Sequence, residues 1–170
     1  MDALYTDDER LLAKTIRDFA EGELAPLAAR WDANEEFPWE SIEGLKRMDL
    51  MGLTIAADVG GAGASYTEMA IVDEEIARVC VTTSTTHLTH ISLSASTIDR
   101  FGSPEQRQRF LPAMASGEKL GAFGLTEPSS GSDASDMQTT ATRKGDSYLL
   151  NGSKTFITNG AESDVMVVFT

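Results

Sequence analysis

The densest group of ligand-competent residues is Phe123-Gly124-Leu125-Thr126-Glu127-Pro128-Ser129-Ser130-Gly131-Ser132-Asp133. Thr126, Ser129, Ser130 and Ser132 supply hydroxyls, and Pro128 and Gly131 impose an irregular backbone that can turn N–H groups toward a ligand. Neutral donors in such a loop suit the polar edge of a cofactor. A phosphate is a harder guest, because the only charges here, Glu127 and Asp133, are negative. It would have to be held by neutral donors or by cations from elsewhere. An ordinary surface turn has the same composition, and composition does not separate the two readings.

Other residues offer weaker chemistry. His87 and His90 share a helix face at i and i+3, but no cysteine or carboxylate at plausible local spacing completes a metal site. Packed or pocket-lining histidines are expected, and no metal. Gly60-Gly61-Ala62-Gly63 follows the strand-like Leu53-Thr54-Ile55-Ala56 and precedes a helix, as a dinucleotide fingerprint would. Tyr66 holds the third glycine position and no β-α alternation follows, so a connection between helices is expected. Thr82 to Thr89 is dense in small hydroxyl residues. It fits either helix packing through small side chains or a pocket wall with room for a ligand tail. Cys80, the only cysteine, is expected inside an amphipathic helix as a small core residue, and an intramolecular disulfide is excluded.

These groups need a scaffold, and composition bounds it. The 170 residues suffice for one core, or for one domain with part of another. A hydrophobic fraction of 41% with 24% charged residues is that of a globular protein. The net charge of −13 repels nucleic acids and anionic membranes, so neither is an expected partner. The acidic N-terminus lacks the basic and apolar regions of a signal peptide, and no apolar run approaches membrane-spanning length. Cytoplasmic placement is the default expectation.

Periodicity predicts helices first and strands afterwards, an α+β class. Thr6 with Glu9, and Ser65 with Glu68, are capping boxes, and Ser103-Pro104 with Gln106 opens another helix. The first helix should weaken near Pro26, and a second should run from Pro38 toward Gly52. Leu88, Ile91, Ala95 and Ile98 predict a buried helix over 82–101 despite its Ser and Thr content. Phe110, Leu111 and Met114 are expected inside the last helix. Then Leu120 to Thr126 reads as a strand. Thr139 to Arg143 and Ser147 to Leu150 flank a turn, Asn151-Gly152 suggests a second tight hairpin, and Asp164 to Thr170 reads as a final apolar strand. A sheet closing on such a strand would have an unpaired apolar edge, so the chain is expected to be cut short within a second domain.

Leu125-Thr126-Glu127-Pro128-Ser129-Ser130-Gly131-Ser132-Asp133, Leu150-Asn151-Gly152-Ser153-Lys154 and Phe156-Ile157-Thr158-Asn159-Gly160 resemble, in order and spacing, the acyl-CoA dehydrogenase family. The Gly60-Gly61 connection and the segment from Phe101-Gly102-Ser103 to Leu111-Pro112 fit as well, so the resemblance covers essentially the whole chain. It implies an N-terminal helical domain over 1–119 and, over 120–170, the start of a middle flavin-binding domain, an incomplete antiparallel β-barrel. A C-terminal helical bundle would follow.

The resemblance implies FAD as cofactor and oxidation of the Cα–Cβ bond of an acyl-CoA thioester. In the family a glutamate removes the α-proton, the β-hydride passes to flavin N5, and an electron-transfer flavoprotein accepts the electrons. Homotetramers and a place in fatty acid β-oxidation are implied too. By position, Phe123, Leu125, Thr126, Gly131 and Ser132 would bind the cofactor with Phe156, Ile157 and Thr158, Thr158 near N5. Ser132 would also meet substrate, and Thr86, Thr89 and Leu93 would line an acyl pocket suited to a short or medium chain. Phe156 stands where the family usually has Trp and lacks its indole donor. Ala56-Ala57-Asp58 replaces a frequent Pro before the glycines. The family's glutamate base falls in the C-terminal bundle, so no catalytic residue is expected here, and Glu127 belongs to the cofactor loop. An acyl-CoA oxidase-like relative and a non-catalytic flavin-binding or assembly remnant are the alternative readings.

Overall fold

The computed structural model describes residues 5–170; the first four residues of the acidic N-terminus, read above as leaderless, lie outside them. Among the described residues, seven α-helices precede four strands. The first helical run is α1 (Asp7–Phe19), a π-helical turn (Ala20–Leu24) and α2 (Ala25–Asn34). Its start is the expected capping box, with Thr6 and Glu9 satisfying each other's backbone N–H groups. Pro26 does not end it. It sits in the first turn of α2, where a missing N–H costs little, and the wider π turn lies just before.

Then come α3 (Trp39–Arg47), α4 (Tyr66–Ala77), α5 (Val81–Leu88), α6 (Ser96–Phe101) and α7 (Pro104–Ala115). The α3 helix stops at Met48 and Asp49, well before Gly52, with Asp49 in the left-handed region at φ 55°. Cys80 is buried but not helical; it caps α5 in extended conformation. Leu53 to Ala56 forms turns and no strand. The Gly60-Gly61 connection folds back on it, with Ala62 N–H on Gly52 O at 3.0 Å and Gly63 N–H on Ile55 O at 2.9 Å. A Cβ at Gly61 would sit 2.0 Å from Ile55 O, so packing is reason enough for that glycine.

The expected helix over 82–101 is continuous, as α5, a π-helical segment (Thr89–Ala95) and α6. Phe19, Leu24, Trp31, Ile42, Leu45, Val72, Ile76 and Ile91 share one core. Leu111 and Met114 of α7 join Ile55, Val59 and Ala95 in a second, while Phe110 is only half-buried. Among charged groups, Arg17 bridges Glu75 through two nitrogens, at 2.9 and 2.6 Å, tying α1 to α4.

The strands are β1 (Gly121–Gly124), β2 (Thr140–Lys144), β3 (Ser147–Asn151) and β4 (Val165–Val168). The mixed class is as expected, and the described strands form two open two-stranded sheets. β2 and β3 make an antiparallel hairpin around Gly145-Asp146, pairing Thr140 with Asn151 and Lys144 with Ser147. β1 and β4 pair in parallel, from Gly121 with Val165 to Gly124 with Val168. The second hairpin expected at Asn151-Gly152 does not form. Thr155 to Ile157 are not strand, because their polar groups turn to other partners: Thr155 N–H donates to Thr126 O at 3.0 Å, and Lys154 reaches back to the loop before it.

Candidate functional site

The candidate loop and the Phe156 segment meet. A cleft of about 290 Å³ is lined by Thr89 and Leu93 of the π-helical segment, by Phe123, Leu125 and Thr126, and by Phe156, Ile157 and Thr158. Three pieces of chain, distant in sequence, make its walls. Thr86, one turn before Thr89, lies buried behind the cleft and presents its carbonyl to Asn159. Gly131 and Ser132 lie apart from it, exposed on the loop tip. The loop turns outward there because Glu127 and Ser130 exchange both backbone bonds, at 2.8 and 3.2 Å.

Two threonines in this cleft have donors without protein partners. Among the described residues, the hydroxyls and N–H groups of Thr126 and Thr158 donate to nothing. Phe156 is 91% exposed and holds a left-handed backbone at φ 55°, a conformation that is costly for a bulky residue. An exposed aromatic face beside unpaired donors fits a planar, acceptor-rich ring better than bulk water. A flavin has that shape and those acceptors, so the residues present fit FAD. Two apolar grooves that meet at Phe101, of about 280 and 460 Å³, fit it less well. Their polar side chains, Thr97 and Gln106, are already bonded to Leu93 O and the Ser103 N–H.

Glu127 has a role that its motif position did not reveal. Its carboxylate accepts the N–H of Gln138 at 2.7 Å, the N–H of Thr139 at 2.9 Å and Lys154 Nζ at 2.9 Å. Thr139, Lys154 and the Gln138 N–H, in that order of weight, hold its pKa down at about 2. Lys154 also donates to Leu125 O at 2.8 Å. The cation that the loop itself lacks is therefore supplied from the second motif, yet it neutralises Glu127 and fixes the chain. The pair is an internal brace between the two cleft segments.

The histidines are structural. His87 lies between Asp73 Oδ1 and Leu50 O, at 2.9 Å from each. His90 Nδ1 accepts the Gly121 N–H at 2.9 Å, which leaves the proton on Nε2 to reach Met51 O and Met114 O. Burial, then the neighbouring His87, lowers its pKa to about 4. Among the described residues no cluster could hold a metal ion, and no helix is long and apolar enough to cross a membrane. Neither Asn159 nor the brace stood out in the sequence reading. The only signal was that Glu127, Lys154 and Asn159 fall within the same motifs as the expected ligands.

The profile of the acyl-CoA dehydrogenase N-terminal domain matches residues 6–118, and that of the acyl-CoA dehydrogenase middle domain matches residues 122–170. The short-chain specific acyl-CoA dehydrogenase of Clostridium acetobutylicum is 43% identical over 169 residues, covering 99% of this chain and 45% of that protein. A chain in the solved structure of the electron transferring flavoprotein of Acidaminococcus fermentans superposes with a TM-score of 0.92 at 40% identity, over 99% of this chain and 44% of that one. Butyryl-CoA dehydrogenase from Megasphaera elsdenii gives 0.90 at 38% identity, over 99% and 45%. The chain thus spans less than half the length of these relatives.

Proposed function

Because this chain belongs to the acyl-CoA dehydrogenase family, we propose that it is part of an FAD-dependent acyl-CoA dehydrogenase. Residues 1–119 would form its helical domain and 120–170 the beginning of its middle domain. The observation that carries this reading is the cleft in which unpartnered Thr126 and Thr158 donors flank the exposed face of Phe156.

Within that site, Leu125 and Thr126 would hold the polar edge of the ring system through backbone and hydroxyl donors. Phe156 would cover a ring face, and Thr158 would donate from the second segment. When bound, FAD supplies the acceptor for the hydride that leaves the acyl β-carbon. Thr89 and Leu93 would border the acyl chain, and their small or flexible side chains suit a short thioester. Ser132, at the exposed tip, would meet the phosphate or pantetheine portions of the ligands. Glu127 is not the base, since three donors keep it ionised with a pKa near 2, far from what proton abstraction at neutral pH needs. Among the described residues, no carboxylate lines the cleft. Membership of the family implies that the base belongs to the part of the relatives' length that these residues do not cover. An electron-transfer flavoprotein would reoxidise the enzyme, and a homotetramer is the expected assembly.

The test is anaerobic addition of short acyl-CoA thioesters to the intact, FAD-loaded protein. Bleaching of the flavin absorbance, followed by reduction of an electron-transfer flavoprotein without hydrogen peroxide, is the expected result. Peroxide formation would make it an oxidase. Absence of bleaching with any acyl-CoA would overturn the assignment.

A further inference from the structure

Asn159 is a buried amide that joins the pieces of chain bearing the cleft walls without lining the cleft. Its Nδ2 donates to Thr86 O of α5 and to Gly121 O of β1, both at 3.0 Å. Its own backbone is left-handed, at φ 63°, directly after Thr158. Gly121 is gripped from the other side too, since its N–H donates to His90. A Cβ on Gly121 would lie 2.7 Å from both Ser94 Oγ and Met114 Cε, so β1 is pressed against the π-helical segment. Three pieces of chain thus converge on one side chain. The helix carries Thr89 and Leu93, β1 leads into Leu125 and Thr126, and the residue itself follows Phe156, Ile157 and Thr158.

We propose that Asn159 is a positioning residue that sets the spacing of the three cleft walls and so determines the affinity and environment of the bound flavin. The proposal rests on the reading of the cleft as an FAD site. Only a primary amide does this work: its two N–H bonds point at two carbonyls held apart by the fold. A carboxylate at this position would face both carbonyl oxygens with no proton to offer. Asparagine also tolerates the left-handed backbone better than most residues. Displacing a wall by a fraction of an ångström would misplace Thr126 relative to Thr158, and misplacement on that scale weakens binding and reaction steeply.

The test compares Asn159→Ala, Asn159→Gly and Asn159→Asp with the parent in the intact protein. Two measurements are made: FAD affinity with the flavin's visible spectrum, and hydrogen exchange of ligand-free backbone amides. All three variants should bind FAD at least ~tenfold more weakly, with an altered flavin band shape. Amides in 121–126 and 156–160 should lose protection together, while those of α1 and α4 keep theirs. Asn159→Gly is the informative variant, because glycine accepts φ 63° without strain and keeps the fold. Wild-type affinity and spectrum in Asn159→Gly would show that backbone conformation, not the amide, matters, and would overturn the proposal. If the parent binds no FAD, the site reading fails, and exchange still decides the clamp: unchanged protection in the variants refutes it, and paired loss supports it.

Discussion

The helical and strand parts of this molecule are ordered by different forces. In the helical part a core of large apolar side chains points inward, and Ile16, Leu45, Val72, Ile76, Ile91 and Leu111 are essentially inaccessible, although Leu11, Val81 and Phe101 stay exposed. In the hairpin and the second cleft segment the pattern reverses, and Tyr148, Leu149, Leu150 and Phe156 are at least half exposed. What orders the cleft-forming strand part is a set of polar contacts with the helices and within itself. These are Asn159 on Thr86 and Gly121, His90 on Gly121, and Glu127 with Lys154. Burial is non-directional and sums over many atoms, so it supplies stability. Hydrogen bonds are few and directional, so they supply position. Stability and site geometry are therefore carried by different residues, and they can be perturbed separately.

The largest effect should come from the helical core. Ile76→Ala should lower the free energy of urea unfolding by about 2–5 kcal/mol. A loss below ~1 kcal/mol would show that the core does not carry the fold. Leu149→Ala, on the exposed hairpin, should change it by no more than ~0.5 kcal/mol.

Acid should break two of these polar contacts, His90 on Gly121 and Glu127 with Lys154, in different windows. His90 ordinarily titrates at 6.5 and is held at about 4 when folded, so the unfolded chain binds more protons between those values. Its stabilisation is complete above pH 6.5 and is lost as pH falls through 4, a change of about 3 kcal/mol. A pH series of urea melts checks this. In His90→Gln that part of the slope should disappear. Glu127 moves from 4.5 to about 2 on folding, so its bracing is complete above pH 4.5 and lost as pH falls through 2. Hydrogen exchange at Gln138 and Thr139 should accelerate only in that lower window, and Glu127→Gln should abolish the dependence. Coincident windows at both sites would contradict the independence of the two contacts.

The smallest effect on stability is expected at the most exposed aromatic. Phe156→Ala should unfold within ~0.5 kcal/mol of the parent while weakening FAD binding. Unchanged FAD affinity would remove Phe156 from the site.

The helical part was legible in the sequence because capping boxes and three- and four-residue apolar spacing are local signals. Thr6 with Glu9, Ser65 with Glu68, and Ser103 with Gln106 all start helices as written. Pro26 misled because a proline in the first turn of α2 looks the same in sequence as a helix breaker. Asn151-Gly152 misled because the preference for a hairpin turn yields when the following residues find partners elsewhere, here Thr126 and Glu127. The cleft was readable only as two motifs. That they face one another depends on Asn159 and Lys154, whose contacts reach residues 73 and 27 positions away, respectively. No local pattern encodes a distance of that kind.

The central claim is that Thr126 and Thr158 are donors to a bound flavin, and FAD titration tests it most directly. The intact protein and a Thr126→Val, Thr158→Val double variant, which removes two hydroxyls at nearly constant shape, are titrated while flavin fluorescence and visible absorbance are followed. Saturable binding by the parent, at least ~tenfold weaker in the variant, with equal urea stability, is the predicted result. Equal affinity in the two proteins, or no FAD binding by the parent, would contradict it.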